Sequence, residues 1–555
     1  MKLNYICIMI IIQRSMNILK FKKWLFILLC VCSQITYGHD IEVDGIYYNI
    51  ISDNSVSVTY YGDYQYSAQY SGEIVIPESI SYNGNSYIVT EIGNCSFAFC
   101  DLVPKVILPN SIKTIQSSAF WQNGGITYIN FPEGLERIEN SAFFGAVRVN
   151  FDSFPSTLKY IGNSAFYGAA LNLTTINIPK NVEEVGTSAF GLCWELRNIT
   201  IQNPKTRFHN GCFYDSGWRN DHPDGYLVID NVLFGYKGTI PSSISIPEGV
   251  IQIVQNCFCD EQNITEIIMP NSVKYIYDNA FAKTSVESIT LSSNLCKLGQ
   301  TSFSRCQKLK NLNFNNCPLD SIERLTFSQC SSLESIAFSD YTKLISTGAF
   351  YDCIELKEIH LPSSLTSIGR GSFQQCALES ITFGGNEEYI YEAAFSDNNL
   401  TKIKFPEHLK LLDCVSFSGN KNLSYVEIPS SLQEIGYWSF FIGDKLDSLI
   451  VNWEDPNICS FKYWANTTST NLDIVYNYYY NTITLYVPKG TSSVYKESPL
   501  WGQFSNIVEI DDSNGIDDKQ YTNKESSKCF DLQGRMIKIK PKTIYIMNGK
   551  KYAPK

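Results

Sequence analysis

The chain has 555 residues, of which 18% are charged and 14% are aromatic, so it can bury a large core and is not a candidate for extended disorder. Its formal net charge is −11 at pH 7, and it falls to −16 without residues 1–38, which contain five basic and no acidic residues. This acidity argues against proteins that bind nucleic acid or anionic lipid mainly through phosphate contacts.

The first 38 residues have the pattern of a secretory signal peptide. A lysine-rich stretch at 20–23 precedes an apolar run at 24–31, and Thr36 and Gly38 place small residues ahead of a cleavage site before His39. An uncleaved membrane anchor is the alternative. The apolar run is shorter than the ~20 residues that a spanning helix needs, which favours cleavage and a mature chain without a membrane span.

Residues 39–91 predict a β-rich cap at the N-terminal end. Strand-like runs at 43–51 and 56–61 accompany the turn signals Asp44-Gly45 and Asn83-Gly84. Because a repeat array needs a polar end that covers its first open repeat, we expect this segment to take that position.

Residues 92–452 repeat one pattern, which is clearest at 356–376. There Ile359 and Leu361 flank one polar residue, as in a short strand with one buried face, and Phe373 fills the interior. We expect the glycine four residues before this phenylalanine to ease the bend of the chain. No single copy can bury its apolar side chains alone, whereas stacked copies can.

An anchor phenylalanine at the end of each copy makes the period measurable. Successive anchors are 22 to 24 residues apart, except for one double step of 45. The anchors are Phe97, Phe120, Phe143, Phe166, Phe190, Phe213, Phe258, Phe281, Phe303, Phe327, Phe350, Phe373, Phe395, Phe417 and Phe440. The pattern predicts a mainly β solenoid of leucine-rich repeats, capped at both ends.

The double step predicts a degenerate coil at 214–243, here called the interruption. Phe234 lies near the phase of the missing anchor, which indicates a hairpin-like coil with a looped-out edge. Insertions in solenoids often carry binding specificity, and a tolerated loop is an equal alternative.

The repeat pattern decays after Phe440. Residues 453–510 are predicted to form a C-terminal cap, with a strand at 484–487, a short helix near 492–496 and a closing strand at 507–510. The last coil of a solenoid needs such a cover just as the first does.

The chain ends in a polar linker and a short tail. Residues 511–527 are rich in Asp, Asn and Ser, as is typical of a linker. Residues 528–555 contain two strand-like runs with glycine turns, which predict a small β-hairpin unit.

The repeat at 356–376 reads Leu-x-x-Ile-x-Leu-Pro-x-x-Leu-x-x-Ile-Gly-x-x-x-Phe-x-x-Cys, and Ser-Ala-Phe recurs at 118–120, 141–143, 164–166 and 188–190. This pattern resembles the BspA-like (Treponema-type) leucine-rich repeat of Bacteroidetes surface proteins. The tail motifs Asp531-Leu532-Gln533-Gly534-Arg535 and Ile544-Tyr545-Ile546 resemble the sorting tails read by the type IX secretion system. The resemblance implies an exported protein of the Gram-negative cell surface, or a secreted one. Some family members are adhesins that bind host matrix proteins or other bacteria.

Six of the 18 cysteines follow an anchor phenylalanine by three residues: Cys100, Cys193, Cys306, Cys330, Cys353 and Cys376. They occupy equivalent places in their coils. The ~4.7–4.9 Å spacing of stacked strands fits a disulfide, so a disulfide ladder stays open in an exported protein. Equivalent side chains point in parallel, and other coils replace the cysteine, which favours buried free thiols.

No arrangement of residues indicates catalysis or a metal. The five histidines form no His-Glu-x-x-His motif, no Gly-x-Ser-x-Gly elbow or phosphate loop occurs, and Cys257 and Cys259 lack the second pair of a zinc site. We therefore expect no catalytic residues, metal or cofactor, and we expect the protein not to be an enzyme.

The residue between the two inward strand positions should point outward in every coil. Down the array these residues are mostly small or amide-bearing, which suits many weak hydrogen bonds to an extended protein or glycan. The candidate binding residues are Asn130, Asn177, Thr200, Thr290, Asn313, His360 and Thr382. The alternative is that these side chains only satisfy the sheet surface.

The expected function is therefore non-enzymatic binding, as in adhesion. The suspected partners are host extracellular matrix or other cell-surface proteins and glycans. A structural spacer of the envelope without a specific ligand is the alternative, and an enzyme with a pocket in the interruption is a third.

Overall fold

The computed structural model describes residues 39–61, 70–169, 173–314, 316–440, 445–462, 473–475 and 477–510, and the backbone of four short strands between 529 and 552. The chain forms two compact units, residues 1–398 and 399–555. The described part is mainly β and repeats one coil, which confirms the predicted leucine-rich repeat solenoid.

The N-terminal end of the first unit contains six strands: β1 (Ile41–Val43), β2 (Ile46–Ser52), β3 (Ser55–Thr59), β4 (Glu73–Val75), β5 (Ser79–Tyr82) and β6 (Asn85–Ile92). Strands β1, β2 and β3 are antiparallel neighbours, β3 pairs in parallel with β6, and β5 forms a hairpin with β6. Positive φ angles at Asp44-Gly45 and Asn83-Gly84 confirm both predicted turns. The run predicted from residue 43 begins instead at Ile46, because the first turn divides it.

Most coils of the first unit contribute a first strand of two to four residues and a second strand of two, and the fully described coil between Ile138 and Tyr160 has no first strand. The coils up to the interruption contain β7 (Lys105–Ile107), β8 (Thr114–Ile115), β9 (Tyr128–Ile129), β10 (Arg137–Ile138), β11 (Tyr160–Ile161), β12 (Thr175–Ile178), β13 (Glu184–Val185), β14 (Asn198–Ile201) and β15 (Arg207–Phe208). Second strands pair in parallel and extend the sheet of the N-terminal end in the order β6-β8-β10-β11-β13-β15. First strands form the separate sheets β4-β7-β9 and β12-β14.

The interruption begins with a short helix and continues as a hairpin. Helix α1 (Gly217–Asp221) starts after Ser216, whose side-chain oxygen accepts the Arg219 N–H. Strands β16 (Gly225–Ile229) and β17 (Val232–Lys237) are antiparallel. Phe234 on β17 packs on Phe213, with ring centroids 5.2 Å apart, so it occupies the interior next to an anchor.

The coils after the interruption contain β18 (Ser243–Ser245), β19 (Gln252–Ile253), β20 (Glu266–Ile268), β21 (Tyr275–Ile276), β22 (Ser288–Thr290), β23 (Lys297–Leu298), β24 (Asn311–Asn313), β25 (Ser321–Ile322), β26 (Ser335–Ala337), β27 (Leu344–Ile345), β28 (Glu358–His360), β29 (Ser367–Ile368), β30 (Ser380–Thr382) and β31 (Tyr389–Ile390). Here the first strands form the sheets β18-β20-β22, β24-β26 and β28-β30. The second strands form β16-β17-β19-β21-β23 and β25-β27-β29-β31. The first strands thus repeatedly present the same face of a parallel sheet.

The anchor phenylalanines stack face to face through the interior of the first unit. Neighbouring ring centroids are 4.9 to 5.7 Å apart from Phe97 to Phe213 and 5.1 to 5.5 Å apart from Phe258 to Phe395. All of these side chains are buried. One aromatic side chain per coil therefore fills the core at the spacing of the strands, and stacking adds to the burial of apolar area.

Left-handed residues flank most anchors, two positions before and two positions after. Ser164 (φ +53°) and Gly168 (φ +70°) flank Phe166, and most other coils use side chains other than glycine. The anchor's own N–H donates to the next coil, as from Phe166 to the Ala189 carbonyl at 2.7 Å. The backbone strain of about 1 kcal/mol per left-handed residue is thus offset by hydrogen bonds between coils.

Gly369 has a different role from the one expected of it. Its φ is outside the left-handed range, and an added Cβ would lie 2.7 Å from the Ser346 carbonyl carbon of the preceding coil. A side chain cannot fit at that distance without moving the backbone, so this glycine permits a close approach of two coils.

The second unit contains β32 (Lys402–Lys404), β33 (Leu411–Leu412), β34 (Tyr425–Ile428), β35 (Glu434–Gly436), β36 (Ser448–Val451), β37 (Ser460–Lys462), β38 (Thr484–Pro488), α2 (Ser492–Glu497) and β39 (Asn506–Ile510), with 3₁₀-helices at Pro456–Ile458, Asn477–Asn481 and Trp501–Gln503. The sheets are β32-β34-β36-β38-β39 and β33-β35-β37. The predicted last two strands and the helix between them are confirmed to within one residue. Trp453, Tyr495 and Trp501 are buried beside them.

The tail contributes four antiparallel strands: β40 (Cys529–Phe530), β41 (Met536–Ile537), β42 (Tyr545–Met547) and β43 (Lys550–Tyr552). Strands β42 and β43 are antiparallel partners, with Met547 paired to Lys550. The linker predicted at 511–527 lies outside the described residues, as do residues 1–38.

Candidate binding face

The first strands of the first unit present mostly small polar side chains to solvent, in two rows. Within each strand the central residue points inward, so the residues on either side of it point outward. The first polar row is the one predicted from the sequence, and within the sheets from β12 to β30 it comprises Asn177, Thr200, Ser245, Ile268, Thr290, Asn313, Ala337, His360 and Thr382. Every member is exposed.

Parallel pairing aligns these side chains from strand to strand. Asn177 is paired with Thr200, and the Thr200 hydroxyl donates to Asn177 Oδ1 at 2.9 Å. His360 is paired with Thr382 in the same way. The row therefore offers hydroxyl, amide and imidazole groups at the regular spacing of a parallel sheet, which suits a ligand that repeats along one direction.

Asn130 differs from the other six predicted residues. It is half-buried, and its amide both accepts from the Leu108 N–H at 2.7 Å and donates to the Leu108 carbonyl at 2.9 Å. Its side chain thus completes the pairing between two coils, in place of the backbone of a regular strand.

A second polar row lies parallel to the first, and the sequence reasoning missed it. It consists of the outward residue two positions earlier in each strand: Thr175, Asn198, Ser243, Glu266, Ser288, Asn311, Ser335, Glu358 and Ser380. Its members are also exposed, and hydrogen bonds join neighbours, as from Ser335 Oγ to Asn311 Oδ1 at 2.7 Å. The period-2 alternation of a strand contained this signal.

Charge is nearly absent from the two polar rows. Glu266 and Glu358 are their only carboxylates, and neither row contains Lys or Arg. The Glu266 carboxylate accepts from Ser243 Oγ at 2.6 Å. A surface of this kind offers hydrogen-bonding groups but lacks the electrostatic field that steers a charged partner over a distance.

The six cysteines that follow an anchor phenylalanine by three residues are here called the cysteine column, and most of them donate to the backbone. All six cysteines are buried and in the thiol form. Five of them donate to the carbonyl of the anchor phenylalanine one coil back, as from Cys193 to Phe166 at 3.2 Å and from Cys353 to Phe327 at 3.3 Å. Where another coil has asparagine at this position, its amide makes the same bond, as from Asn123 to Phe97 at 3.0 Å.

Burial sets the acidity of these thiols. It raises the pKa of Cys193 to about 12 and that of Cys306 to about 11, and it raises the pKa of Cys330 and Cys353 well above the usual value. The thiolate is the form of cysteine that acts as a nucleophile or as a metal ligand. Because these side chains stay in the thiol form, their chemical reactivity is low. The described residues contain no group of three or more His, Cys, Asp or Glu placed to hold a metal ion.

The interruption brings together residues that are far apart in sequence. Arg207, before it, forms an ion pair with Asp278, after it, and the Tyr277 hydroxyl donates to the Lys205 carbonyl at 3.1 Å. A small cavity of about 40 Å³ beside His209, Trp218 and Phe234 has room for a water molecule. These contacts join the coils on the two sides of the interruption.

Comparison with known proteins gives a family and a fold. The family profile of the BspA type leucine rich repeat region matches residues 64–190, 90–219, 228–356 and 320–447, which together span well over half of the chain. No curated protein matches the chain. Among the described residues, none of the helices has both the length and the apolar character required to cross a bilayer.

Solved structures with leucine-rich repeats are similar at low identity. A leucine-rich repeat protein from Bacteroides ovatus ATCC 8483 is 23% identical, with 77% of this chain and 100% of that chain covered and a TM-score of 0.32. The pneumococcal vaccine antigen PcpA is 18% identical, with 86% and 100% covered and a TM-score of 0.30. A leucine rich cell surface protein from Faecalibacterium prausnitzii A2-165 is 21% identical, with 62% and 94% covered and a TM-score of 0.26.

Proposed function

Because this chain belongs to the BspA-type leucine-rich repeat family, we propose that it is an exported surface protein that binds an extended protein or glycan through the two polar rows. The observation that carries the proposal is the exposure of two parallel rows of small hydroxyl and amide side chains on successive first strands. Such a face forms many weak hydrogen bonds to a ligand that follows the same direction.

The partners proposed are host extracellular matrix proteins, other cell-surface proteins and their glycans. Export is supported by the signal-peptide pattern of residues 1–38. The family and this pattern favour a location at the outer surface or outside the cell, and the proposed activity is binding without catalysis.

A binding panel tests the proposal. The purified chain is titrated against immobilised matrix proteins, mucins and glycans, with a heat-unfolded sample as control. We expect saturable binding that is lost on unfolding. Absence of binding to every member of the panel would contradict the proposal and favour a structural spacer of the envelope.

Variants then place the binding on the polar rows. The triple variant Asn177→Arg, Asn313→Arg and Thr382→Arg introduces long charged side chains on the first polar row, and we expect affinity to fall at least about tenfold. A matched control changes three exposed residues outside the rows, Ser81→Arg, Gln307→Arg and Ser363→Arg, with the same change in net charge. Equal loss in both variants would show that charge alone is responsible and would contradict the assignment to the rows.

We further infer that the tail at 528–555 acts as a sorting signal of the type IX kind. The support is the resemblance of its two motifs, and the four described tail strands pair only with one another. A chain truncated after residue 527 should be retained in the periplasm, as followed by cell fractionation, whereas the full chain should reach the outer surface. Surface display of the truncated chain would overturn the inference.

A further inference from the structure

The first-strand sheet β4-β7-β9 is open at its N-terminal side. Strand β4 pairs with β7, and no described strand pairs with its other edge. The Ile76 N–H donates to the Ile107 carbonyl at 2.9 Å and the Gly72 N–H to the Leu102 carbonyl at 2.8 Å, so the even-numbered residues face β7. Because the direction alternates along a strand, Glu73 and Val75 present their N–H and C=O groups on the open side. Such an edge is a template for another strand.

A pocket of about 410 Å³ lies against this open edge. One wall is β4 and the residues next to it, and the other is the hairpin β1–β2. The lining residues that matter below are Asp44, Tyr48, Glu73 and Val75. Val75 is 64% exposed, so the edge residue beside the pocket is accessible to a partner.

Tyr48 contributes a buried polar group without a partner to the pocket wall. Its side chain is fully buried, and within the described part of the chain its hydroxyl makes no hydrogen bond. Leaving such a group unpaired costs about 1–3 kcal/mol. Burial, together with the nearby Asp44 carboxylate, raises the pKa of Tyr48, so the hydroxyl is protonated and can both donate and accept.

The pocket is negatively charged. Asp44 and Glu73 line it, and none of its lining residues is Lys, Arg or His. Glu73 has Lys105 at 3.4 Å on the surface, whereas Asp44 has no ion pair among the described residues. A cationic side chain in the pocket would meet the Asp44 carboxylate. The Tyr48 hydroxyl is buried in the unliganded chain and becomes available to that cation only if the pocket wall opens on binding.

We propose that the open edge of β4 and this pocket together bind an extended segment of a partner protein that carries a lysine or arginine. The segment adds to β4 as a parallel strand, with main-chain hydrogen bonds to Glu73 and Val75, and its cationic side chain enters the pocket towards Asp44 and Tyr48. This mode is β-strand addition, in which main-chain pairing gives affinity and a pocket gives specificity. The site is separate from the polar rows and does not depend on them.

A short labelled peptide tests the site on the full chain. The probe is fluorescein-labelled Thr-Val-Lys-Val-Thr, followed by fluorescence anisotropy. A norleucine analogue removes the charge of the lysine while keeping its length. Two further analogues carry N-methyl groups on alternate residues, one on the valines and one on the lysine and the flanking threonines. We expect the norleucine analogue to bind at least about tenfold more weakly, and only one of the two methylation patterns to abolish binding, because one edge of the peptide faces β4.

Protein variants complete the test. Asp44→Asn keeps a residue that tolerates the left-handed turn (φ +53°) and should weaken the probe about tenfold. Asp53→Asn, an exposed residue on the next turn, makes the same change in net charge and should leave binding unchanged. Tyr48→Phe should weaken the probe and raise the melting temperature of the unliganded chain, since it removes the unpaired hydroxyl.

Several outcomes would overturn the proposal. These are absence of binding up to about 1 mM probe, equal binding of the norleucine analogue, equal effects of both methylation patterns, and an Asp44→Asn variant that binds like the parent. Concentration-dependent self-association of the unliganded chain in sedimentation velocity, abolished by Asp44→Asn, would assign the edge to a second copy of this chain and would likewise overturn it.

Discussion

The residue before each anchor phenylalanine is alanine in many coils and serine in several others. The serine hydroxyl is satisfied in some of them: Ser96 Oγ lies 2.8 Å from the Val58 carbonyl oxygen and 2.6 Å from the Gly93 carbonyl oxygen, and it donates its single proton to one of the two. The hydroxyls of Ser302, Ser372 and Ser416 are buried without a partner among the described residues. The same residue type therefore stabilises one coil and costs free energy in another, depending on the carbonyl that faces it.

Replacement of these serines by alanine should have opposite effects in the two kinds of coil. Ser372→Ala removes an unpaired buried hydroxyl and should raise the free energy of unfolding by about 1 kcal/mol, whereas Ser96→Ala should lower it by a similar amount. Differential scanning calorimetry of the two variants beside the parent measures both shifts. A loss of stability in Ser372→Ala would show that its hydroxyl is paired in solution.

At the scale of the element, several coils are joined to the previous one by a side chain as well as by their strands. Cysteine or asparagine three residues after the anchor donates to the carbonyl of the preceding anchor, as in Cys330 to Phe303 at 3.3 Å and Asn398 to Phe373 at 2.8 Å. The common requirement is a donor of suitable length pointing at one carbonyl. This explains why other coils can replace cysteine by asparagine, which no disulfide ladder would allow.

The thiols of the column should resist alkylation while the chain is folded. We expect iodoacetamide to modify the exposed Cys296 in the native chain between pH 7 and 9 and to leave Cys330 and Cys353 unmodified until denaturant is added. Burial raises the pKa of Cys330 and Cys353 above this pH range, so a rise in pH from 7 to 9 does not convert them to thiolates. Peptide mass spectrometry identifies the modified sites, and native modification of Cys330 at the rate of Cys296 would contradict the expectation.

The same pKa shifts make stability depend on pH. Cys193, Cys306, Cys330 and Cys353 each have a higher pKa in the folded chain than in the unfolded chain. Their contribution to stability is therefore fully present below the unfolded pKa of about 8.5 and is lost as the pH rises above it. The melting temperature should therefore decline above about pH 8.5, and less so in a Cys353→Asn variant, whose amide can replace one thiol without titrating.

At the scale of the whole molecule, coils contact mainly their neighbours, so stability is distributed along the chain. In the first unit the anchor rings form one stack from Phe97 to Phe213 and another from Phe258 to Phe395, and the side chain of Phe234 lies next to the end of the first. A substitution that destabilises one stack should therefore increase local unfolding first in the coils of that stack.

Phe350→Ala tests this expectation at the middle of the second stack. Loss of a fully buried ring should cost about 3–5 kcal/mol, and amide hydrogen exchange should accelerate in the coils around residues 327–395 and remain unchanged in the coils from 97 to 213. Tyr351→Ala is the matched control, since this neighbouring ring is half-buried and outside the stack. Uniform acceleration over both stacks would show that the unit unfolds as one cooperative body.

Much of this fold could be predicted because a solenoid converts sequence spacing into spatial spacing. The anchors, the inward strand residues and the closing strands of the C-terminal end follow from period and alternation, since each coil repeats the environment of its neighbour. The first polar row follows from the same alternation. Its binding role stays a prediction.

The tertiary structure alone decided the features that break the period. The amide of Asn130 pairs with the backbone of Leu108, Gly369 packs against a carbonyl carbon of the preceding coil, and Arg207 reaches Asp278 across the interruption. The left-handed residues beside the anchors include serine, glutamine, leucine and aspartate in different coils, so no single residue type identifies these positions in the sequence. The sequence by itself determined the repeating coil, because that coil depends on local spacing. The open edge of β4 and the bridge across the interruption depend on which distant segments meet where the repeat ends or is interrupted. The spacing of residues along the chain does not indicate which segments these are.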